Sequence, residues 1–483
     1  MNSTRPTREQ LIALAKQDPE TIADLVLTLL DRIDALEQRI ATLELNSRNS
    51  SKPPSSDKGN FTNPPKPKSL REKSTKKPGG QLGHKGQTLE KSDKPDIIIE
   101  HKLPSEIHCK GCSKLIDTHD VSYQSRQVFD IPPITIQVTE HRSEQCQCPH
   151  CHTTNSADFP TNVTAPVQYG PRLQATCIYL NSYQLLPYKR LSQTFSDLFS
   201  IPLSQGTIAN IIRSTGVKAG KAIQPIYNAI FNGKIMHCDE TGCRVYAKSH
   251  WLHVASNSYH TYYHIDQKRG VEALENIGLL TRYQGTVIHD CLGAYNHYDQ
   301  CKHGICDAHI LRELIYAEEQ LNQPWSTAMK ELLLDSKGLI ENDQIQISQE
   351  IKTTINKRYR EILEEGLKEN PEPEKTGKRG RPKRSKALNL LLRLQKQHRG
   401  VLAFLNREGV PFDNNQAERD LRMMKTREKI SGGFGSAARA KDFCNLRGII
   451  STSLKQGRNT LQTLTEMIEN PQQTGYSLAE IPE

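Results

Sequence analysis

The sequence predicts a multidomain α/β protein, and three observations carry that prediction. At 483 residues the chain exceeds one ordinary domain, so about two to four are expected. The hydrophobic period changes along it, from heptads to a polar tract, then cysteine pairs, then helices, then strands alternating with helices. The strand-bearing stretch begins at Gly233 and is followed by a long run of helical pattern. The boundaries this gives are 1–46, 47–100, 101–160, 161–228, 229–460 with a helical insertion at about 315–408, and a tail at 461–483.

Ile22, Val26, Leu29, Ile33, Leu36, Ile40 and Leu43 alternate steps of four and three, a heptad seam with charged residues such as Asp31, Arg32, Glu37 and Arg39 on other faces. A short coiled coil joining protomers is expected, against the alternative of a helix packed on its own chain. From Asn46 to about Asp96 the chain is rich in Pro, Ser, Gly and Lys, and reads as a linker. Its basic part includes Lys76, Lys77 and Lys85 among glycines, which suits contact with phosphates or a plain solvated tether.

Cys109-Lys-Gly-Cys112 and Cys148-Pro-His-Cys151 are two C-x₂-C knuckles. Strand-like runs at 122–130 and 134–140 lie between them, so a zinc ribbon is expected, with a β-hairpin between the knuckles and four thiolates around Zn²⁺. A closed Cys₄ site is structural and not catalytic. Cys146 could substitute for Cys148. The twelve cysteines are unevenly spaced without a secretory signal, so metal ligands and free thiols are expected in a reducing cytoplasm.

Residues 190–199 are apolar at helical spacing, 200–203 interrupt, and Ser204 caps a second helical pattern that includes Arg213. The arrangement reads as a helix-turn-helix entering a DNA groove, or as two core helices, since the second is short of basic side chains. Beyond Gly233, residues 234–239, 251–255 and 261–265 read as strands, 271–280 as a helix, and 285–290 and 303–306 as further strands, with a helix from Ala308. By analogy, this is close to the order of a ribonuclease-H-like sheet. Within the later helical stretch, Arg379-Gly-Arg381-Pro-Lys383 is a compact basic hook that suits a narrow minor groove or a plain disordered basic loop.

Net charge is +10, which favours a polyanionic partner such as double-stranded DNA. No apolar stretch approaches the roughly 18 residues of a membrane span. Asp239 and Asp290 each end a strand-like run, and Glu418 lies in the first turn of a helix beginning near Asn414. Two acids at strand ends and one on a late helix form a layout that holds a pair of Mg²⁺ (or Mn²⁺) ions about 4 Å apart for phosphodiester chemistry. Taken singly, each acid is an ordinary turn or first-turn residue, and Glu240 and Asp299 are alternatives, Glu240 pointing to the other face if its strand continues. His309, Arg312, Arg419, Arg422 and Lys425 lie beside the acidic motifs as candidate phosphate contacts. Cys301-x₄-Cys306-x₂-His309 is a further possible Zn²⁺ set.

Several strings carry a family resemblance: 79–86 (Gly-Gly-Gln-Leu-Gly-His-Lys-Gly), the two knuckles, 237–242 (His-Cys-Asp-Glu-Thr-Gly), 289–295 (His-Asp-Cys-Leu-Gly-Ala-Tyr), 306–312 (Cys-Asp-Ala-His-Ile-Leu-Arg) and 413–422 (Asp-Asn-Asn-Gln-Ala-Glu-Arg-Asp-Leu-Arg). In this order the chain resembles transposases of the insertion sequence 66 family. The resemblance implies a DDE catalytic domain with Asp239, Asp290 and Glu418 as its acids, a zinc-binding domain, a leucine-zipper segment, and action on element ends and target DNA in the bacterial nucleoid, with separately encoded accessory proteins. The rival readings are a catalytically inactive DNA-binding regulator and a structure-selective nuclease.

Overall fold

A computed structural model describes residues 7–43, 88–116, 121–342, 347–374, 382 and 384–481. Lys76, Lys77, Lys85, Arg379, Arg381 and Lys383, and most of the 47–100 segment, lie outside the described residues.

Helix α1 (Arg8–Gln17) leads into α2 (Pro19–Leu43). The start of α2 is set locally. Asp18 accepts from the Thr21 amide at 3.1 Å and the Thr21 hydroxyl at 2.6 Å, and Pro19 occupies the first helical position, where its missing N–H costs nothing. The seam residues Val26, Leu29, Ile33, Leu36 and Ile40 are all exposed along α2.

Two short antiparallel ladders follow, β1 (Ile107–His108) with β2 (Leu115–Ile116), and β3 (Gln145–Gln147) with β4 (Thr154–Ser156). Each ladder closes one Cys-x₂-Cys knuckle. The hairpin expected between the knuckles is not there: the described residues of 121–143 form no strand. The pairing lies inside each knuckle instead.

The remainder is built on one five-stranded sheet. Helices α3 (Pro171–Ile178), α4 (Tyr188–Phe199) and α5 (Gln205–Phe231) precede it. Strands β5 (Ile235–Val245), β6 (Lys248–Ser256) and β7 (Thr261–Asp266), helix α6 (Val271–Ile277), and strands β8 (Thr286–His289) and β9 (Lys302–Ile305) complete it in the order β7-β6-β5-β8-β9. The first three strands are antiparallel neighbours, and β8 and β9 join parallel to β5. Then come α7 (Asp307–Leu321), α8 (Pro324–Asn342), α9 (Gln349–Glu369), α10 (Lys386–Lys396), α11 (His398–Val401) and α12 (Ala403–Asn406). After them run α13 (Asn415–Ser431), α14 (Ala437–Lys455), α15 (Thr460–Glu469) and α16 (Pro471–Ala479).

Alternation along β5 covers both faces of the sheet. Met236 and Cys238 enter a core with Ile223, Ile226 and Ile230 of α5, while Cys243 and Val245 enter another with Ala417, Leu421 and Met424 of α13. A third core, with Trp325, Tyr359, Leu391 and Leu402, joins α7–α12 to Ile288 and Ile305.

Two readings change. Asp239 does not end its strand: β5 runs on through Glu240-Thr241-Gly242 to Val245 and turns at Tyr246-Ala247, both in the left-handed region (φ 50° and 60°). The described part of the expected tail, residues 461–481, is mostly helical. Helices α15 and α16 bury Leu464, Met467, Ile468 and Leu478 in the core with α3 and α5. The α4–turn–α5 unit exists, with Ser200 left-handed (φ 53°) and the Ser204 hydroxyl accepting from the Thr207 amide at 3.0 Å. Helix α5 is nonetheless a central core helix, with Ile208, Ala219, Ala222, Ile226 and Ile230 fully buried.

Candidate active site at the parallel edge of β5

Register brings the first two acids together. His237 of β5 pairs with Ile288 of β8 in parallel. The same offset carried two residues further sets Asp239 beside Asp290, which follows the last residue of the shorter β8. One carboxylate oxygen from each of Asp239, Glu240 and Asp290 lies within 4.8 Å of the others. Glu240 therefore joins the cluster although the strand continues: Asp290, just past a strand end, is reached from both faces of β5. Asp299 is exposed and outside this cluster.

Backbone amides orient the two aspartates, Glu240 N–H donating to Asp239 Oδ1 and Leu292 N–H to Asp290 Oδ1, both at 2.8 Å. Glu240 is held from two sides. Its Oε1 accepts from Arg269 Nε at 2.8 Å and pairs with Nη2 at 2.7 Å, and its Oε2 accepts from the Tyr295 hydroxyl at 3.1 Å. Arg269 also stands 3.6 Å from Asp290 Oδ2, with its guanidinium over the Trp251 ring. Tyr295 is stacked on His289 at 4.4 Å, and His289 Nε2 is 3.0 Å from His303 Nδ1.

Glu418 reaches the site through Asn414, the residue before α13. Its side-chain amide donates to the Cys238 carbonyl at 2.8 Å, so its oxygen faces His237 Nδ1, also at 2.8 Å. That orientation requires His237 to carry its proton on Nδ1. The Asn414 backbone N–H donates to Cys306 Sγ at 3.2 Å. Farther along α13, the Tyr263 hydroxyl donates to the Asp420 carbonyl at 2.8 Å, Lys455 Nζ pairs with Asp420 at 2.7 Å, and Lys425 Nζ donates to the Gly242 carbonyl at 2.9 Å. The helix is thus tied to β5 and β7 on either side of Glu418. Glu418 groups with Cys306 and His309, one donor atom from each lying within 4.8 Å of the others, and it does not share the tight Asp239–Glu240–Asp290 group. The two clusters are neighbours electrostatically: Glu418 raises the pKa of Asp239, and His309 feels both Asp290 and Glu418.

Burial, and then the charge of Glu240 followed by those of Asp290 and Glu418, pushes the Asp239 carboxyl up to about 8. Burial and Asp290 push Glu240 up to about 7, against the pull of Arg269. Glu418 Oε1 is buried and accepts no hydrogen bond. These are hard oxygen donors in surplus over local positive charge, the donor set that suits Mg²⁺ or Mn²⁺. The oxygens that lie close enough to share such an ion are those of Asp239, Glu240 and Asp290, with Glu418 in the neighbouring group.

The knuckles share one local geometry. Cys109 and Cys148 each accept a backbone bond at the position four residues on, from Ser113 and His152, and those two residues are left-handed (φ 57° and 56°). The Gly111 amide donates to Cys109 Sγ at 3.4 Å and holds that thiol below its usual range, and the contact with Thr153, whose Oγ1 lies 3.3 Å from Cys151 Sγ, lowers Cys151 likewise. Thiolate-favouring donors of this kind fit a zinc ligand set. Among the described residues the four sulfurs do not gather into one cluster. Cys146 lies on β3 opposite Asn155 and outside the knuckle geometry.

Of the candidate phosphate contacts, Arg213, Arg419 and Arg422 are exposed, His309 and Arg312 are half-buried, and Lys425 is spent partly on Gly242. Sequence reasoning missed Arg269, Tyr295 and the side-chain role of Asn414. A lone Arg in Lys268-Arg269-Gly270 carries no signal, because its partners arrive only through the β5–β8 register.

The profile of the transposase IS66 family matches residues 166–442, more than half of the chain. A zinc-finger binding domain of transposase IS66 matches residues 106–152, which span both knuckles, and a family of unknown function matches residues 5–90. No curated protein matches the chain. These family matches define a transposase with a zinc-binding domain. The chain is a member of the IS66 transposase family. No helix among the described residues is long and apolar enough to cross a membrane.

Proposed function

We propose that this transposase binds the ends of its element and catalyses divalent-metal-dependent DNA strand cleavage and transfer through Asp239, Asp290 and Glu418. The observation that carries the reading is the convergence of Asp239 and Asp290 beside the helix that delivers Glu418. The strand order β7-β6-β5-β8-β9, antiparallel then parallel, supports a ribonuclease-H-like core interrupted by a helical insertion. When bound, a pair of Mg²⁺ ions would lower the pKa of an attacking water or 3′-hydroxyl and neutralise charge on the phosphate.

The protein's own groups do the rest. Asn414 fixes the approach of α13, and the amides of Glu240 and Leu292 hold the aspartates in orientation. Arg269, His309 and Arg312 supply positive or polarisable groups where a phosphate would lie. Water would attack first, and the freed 3′-hydroxyl would then attack target DNA, with no covalent protein–DNA intermediate. The zinc-binding segment, the α4–α5 unit and the basic segments around Lys76–Lys85 and Arg379–Lys383 would read or hold DNA at the nucleoid. The exposed seam of α2 would pair protomers, and accessory proteins would complete the assembly.

The test is strand transfer with pre-cut element ends in Mg²⁺, comparing the parent with Asp239→Asn. Loss of product in the variant is expected, and equal product from both would refute the assignment.

A further inference from the structure

We propose that Cys306, His309 and Glu418 form a separate site for a thiophilic divalent cation of the zinc type, which takes Glu418 out of reach of the catalytic magnesium ions when filled. Cys306 is the residue before α7 and His309 lies three residues on, in its first turn, and the two side chains meet there. Glu418 comes from the first turn of α13. His309 Nδ1 is 3.2 Å from Cys306 Sγ and 3.8 Å from Glu418 Oε1, and all three donor atoms lie within 4.8 Å of one another. Ligands around a tetrahedral Zn²⁺ stand about 3.3–3.6 Å apart, so modest closure completes three corners.

The chemistry separates this group from its neighbour. Thiolate and imidazole select zinc-like ions, whereas the all-carboxylate cluster of Asp239, Glu240 and Asp290 selects magnesium or manganese. Thiolate, carboxylate and neutral imidazole together balance a 2+ ion. The Asn414 backbone N–H on Cys306 Sγ is the outer-shell donor such a thiolate uses, and Glu418 Oε1 is buried without a hydrogen bond. The Cys301 ligand considered from sequence is not part of the group: its thiol faces the Tyr283 carbonyl at 3.2 Å. The third ligand is Glu418, which spacing alone does not reveal.

Only the inhibitory consequence rests on the proposed catalytic role of Glu418. The binding itself does not. The test is zinc content per chain by elemental analysis of the full-length protein after equilibration with ZnCl₂ and gel filtration, for the parent, Cys306→Ser and His309→Gln. Each variant is expected to hold one equivalent less than the parent, with unchanged far-ultraviolet circular dichroism. Equal zinc in the parent and both folded variants would overturn the site. In a parallel Mg²⁺-dependent cleavage assay, added Zn²⁺ should suppress the parent and spare Cys306→Ser. Equal suppression of the two would overturn the inhibitory role. A parent inactive in Mg²⁺ alone would count against the catalytic reading and leave the zinc count standing.

Discussion

Removing the Asn414 side chain tests whether the site is assembled by a buried amide. Asn414 is 2 % exposed and holds His237 Nδ1 and the Cys238 carbonyl at once, each at 2.8 Å. Asn414→Ala orphans both groups. Leaving a buried donor or acceptor unpaired costs about 1–3 kcal/mol each, so a loss of about 2–6 kcal/mol is expected for the catalytic domain. The same change frees the start of α13, so the Mg²⁺ concentration needed for half-maximal cleavage should rise as Glu418 loses its setting. Asn414→Asp matches the volume but turns a carboxylate oxygen toward the Cys238 carbonyl, and should also destabilise. Chemical denaturation followed by circular dichroism, with cleavage measured across a magnesium titration, reads both effects. If Asn414→Asp is as stable as the parent, packing and not hydrogen bonding holds the helix. An unchanged magnesium requirement in Asn414→Ala would refute the positioning argument.

Other outcomes follow from the charge crowding. In chelator, Asp239→Asn should stabilise the protein by on the order of 1 kcal/mol at pH 8, since it removes a buried like charge while keeping the oxygen that accepts from Glu240 N–H; a lower melting temperature than the parent would contradict this. The folded protein keeps protons on Asp239 and Glu240 up to about 8 and 7, whereas the unfolded chain releases them near 3.8 and 4.5. Their contribution to metal-free stability is therefore fully present below that lower range and is lost as pH rises through about 7 to 8. Added Mg²⁺ should flatten the decline, and identical melting curves against pH with and without Mg²⁺ would be inconsistent with carboxylate ligation. At the knuckles, Cys148→Ser should lose an equivalent of zinc and Cys146→Ser should keep it, as measured by elemental analysis; the reverse pattern would move the ligand to Cys146.

The strands and the acids were legible because period and composition mark them. Residues 234–239, 251–255 and 261–265 all fall inside observed strands or at their edges. What misled was turn chemistry. Glu240-Thr241-Gly242 resembles a turn, yet Gly242 pairs with Trp251, and the real hairpin turn uses Tyr246 and Ala247, neither a residue that turn rules select for positive φ. The knuckle strands, two or three residues long, are too short for any periodicity to appear. The helices after residue 460 leave only a short apolar spacing at Leu464, Met467 and Ile468, diluted by the polar residues around Pro471. Arg269, Tyr295 and Asn414 were invisible for a different reason: each acts on a group far away in sequence, and only the folded register names the partner.

The excursion from α7 to α12 leaves the sheet at Asp307 and returns at Phe412, where the Asp307 amide donates to the Phe412 carbonyl at 3.1 Å. Entry and exit touch, and two residues past Phe412 the Asn414 backbone amide donates to Cys306 Sγ. The appendage is closed at its neck and seated on the sheet through α11 and α12, which pack on β9. Its outer helices can lengthen, shrink or acquire a new outward face over evolutionary time, while the acid beyond the neck still arrives at the same address.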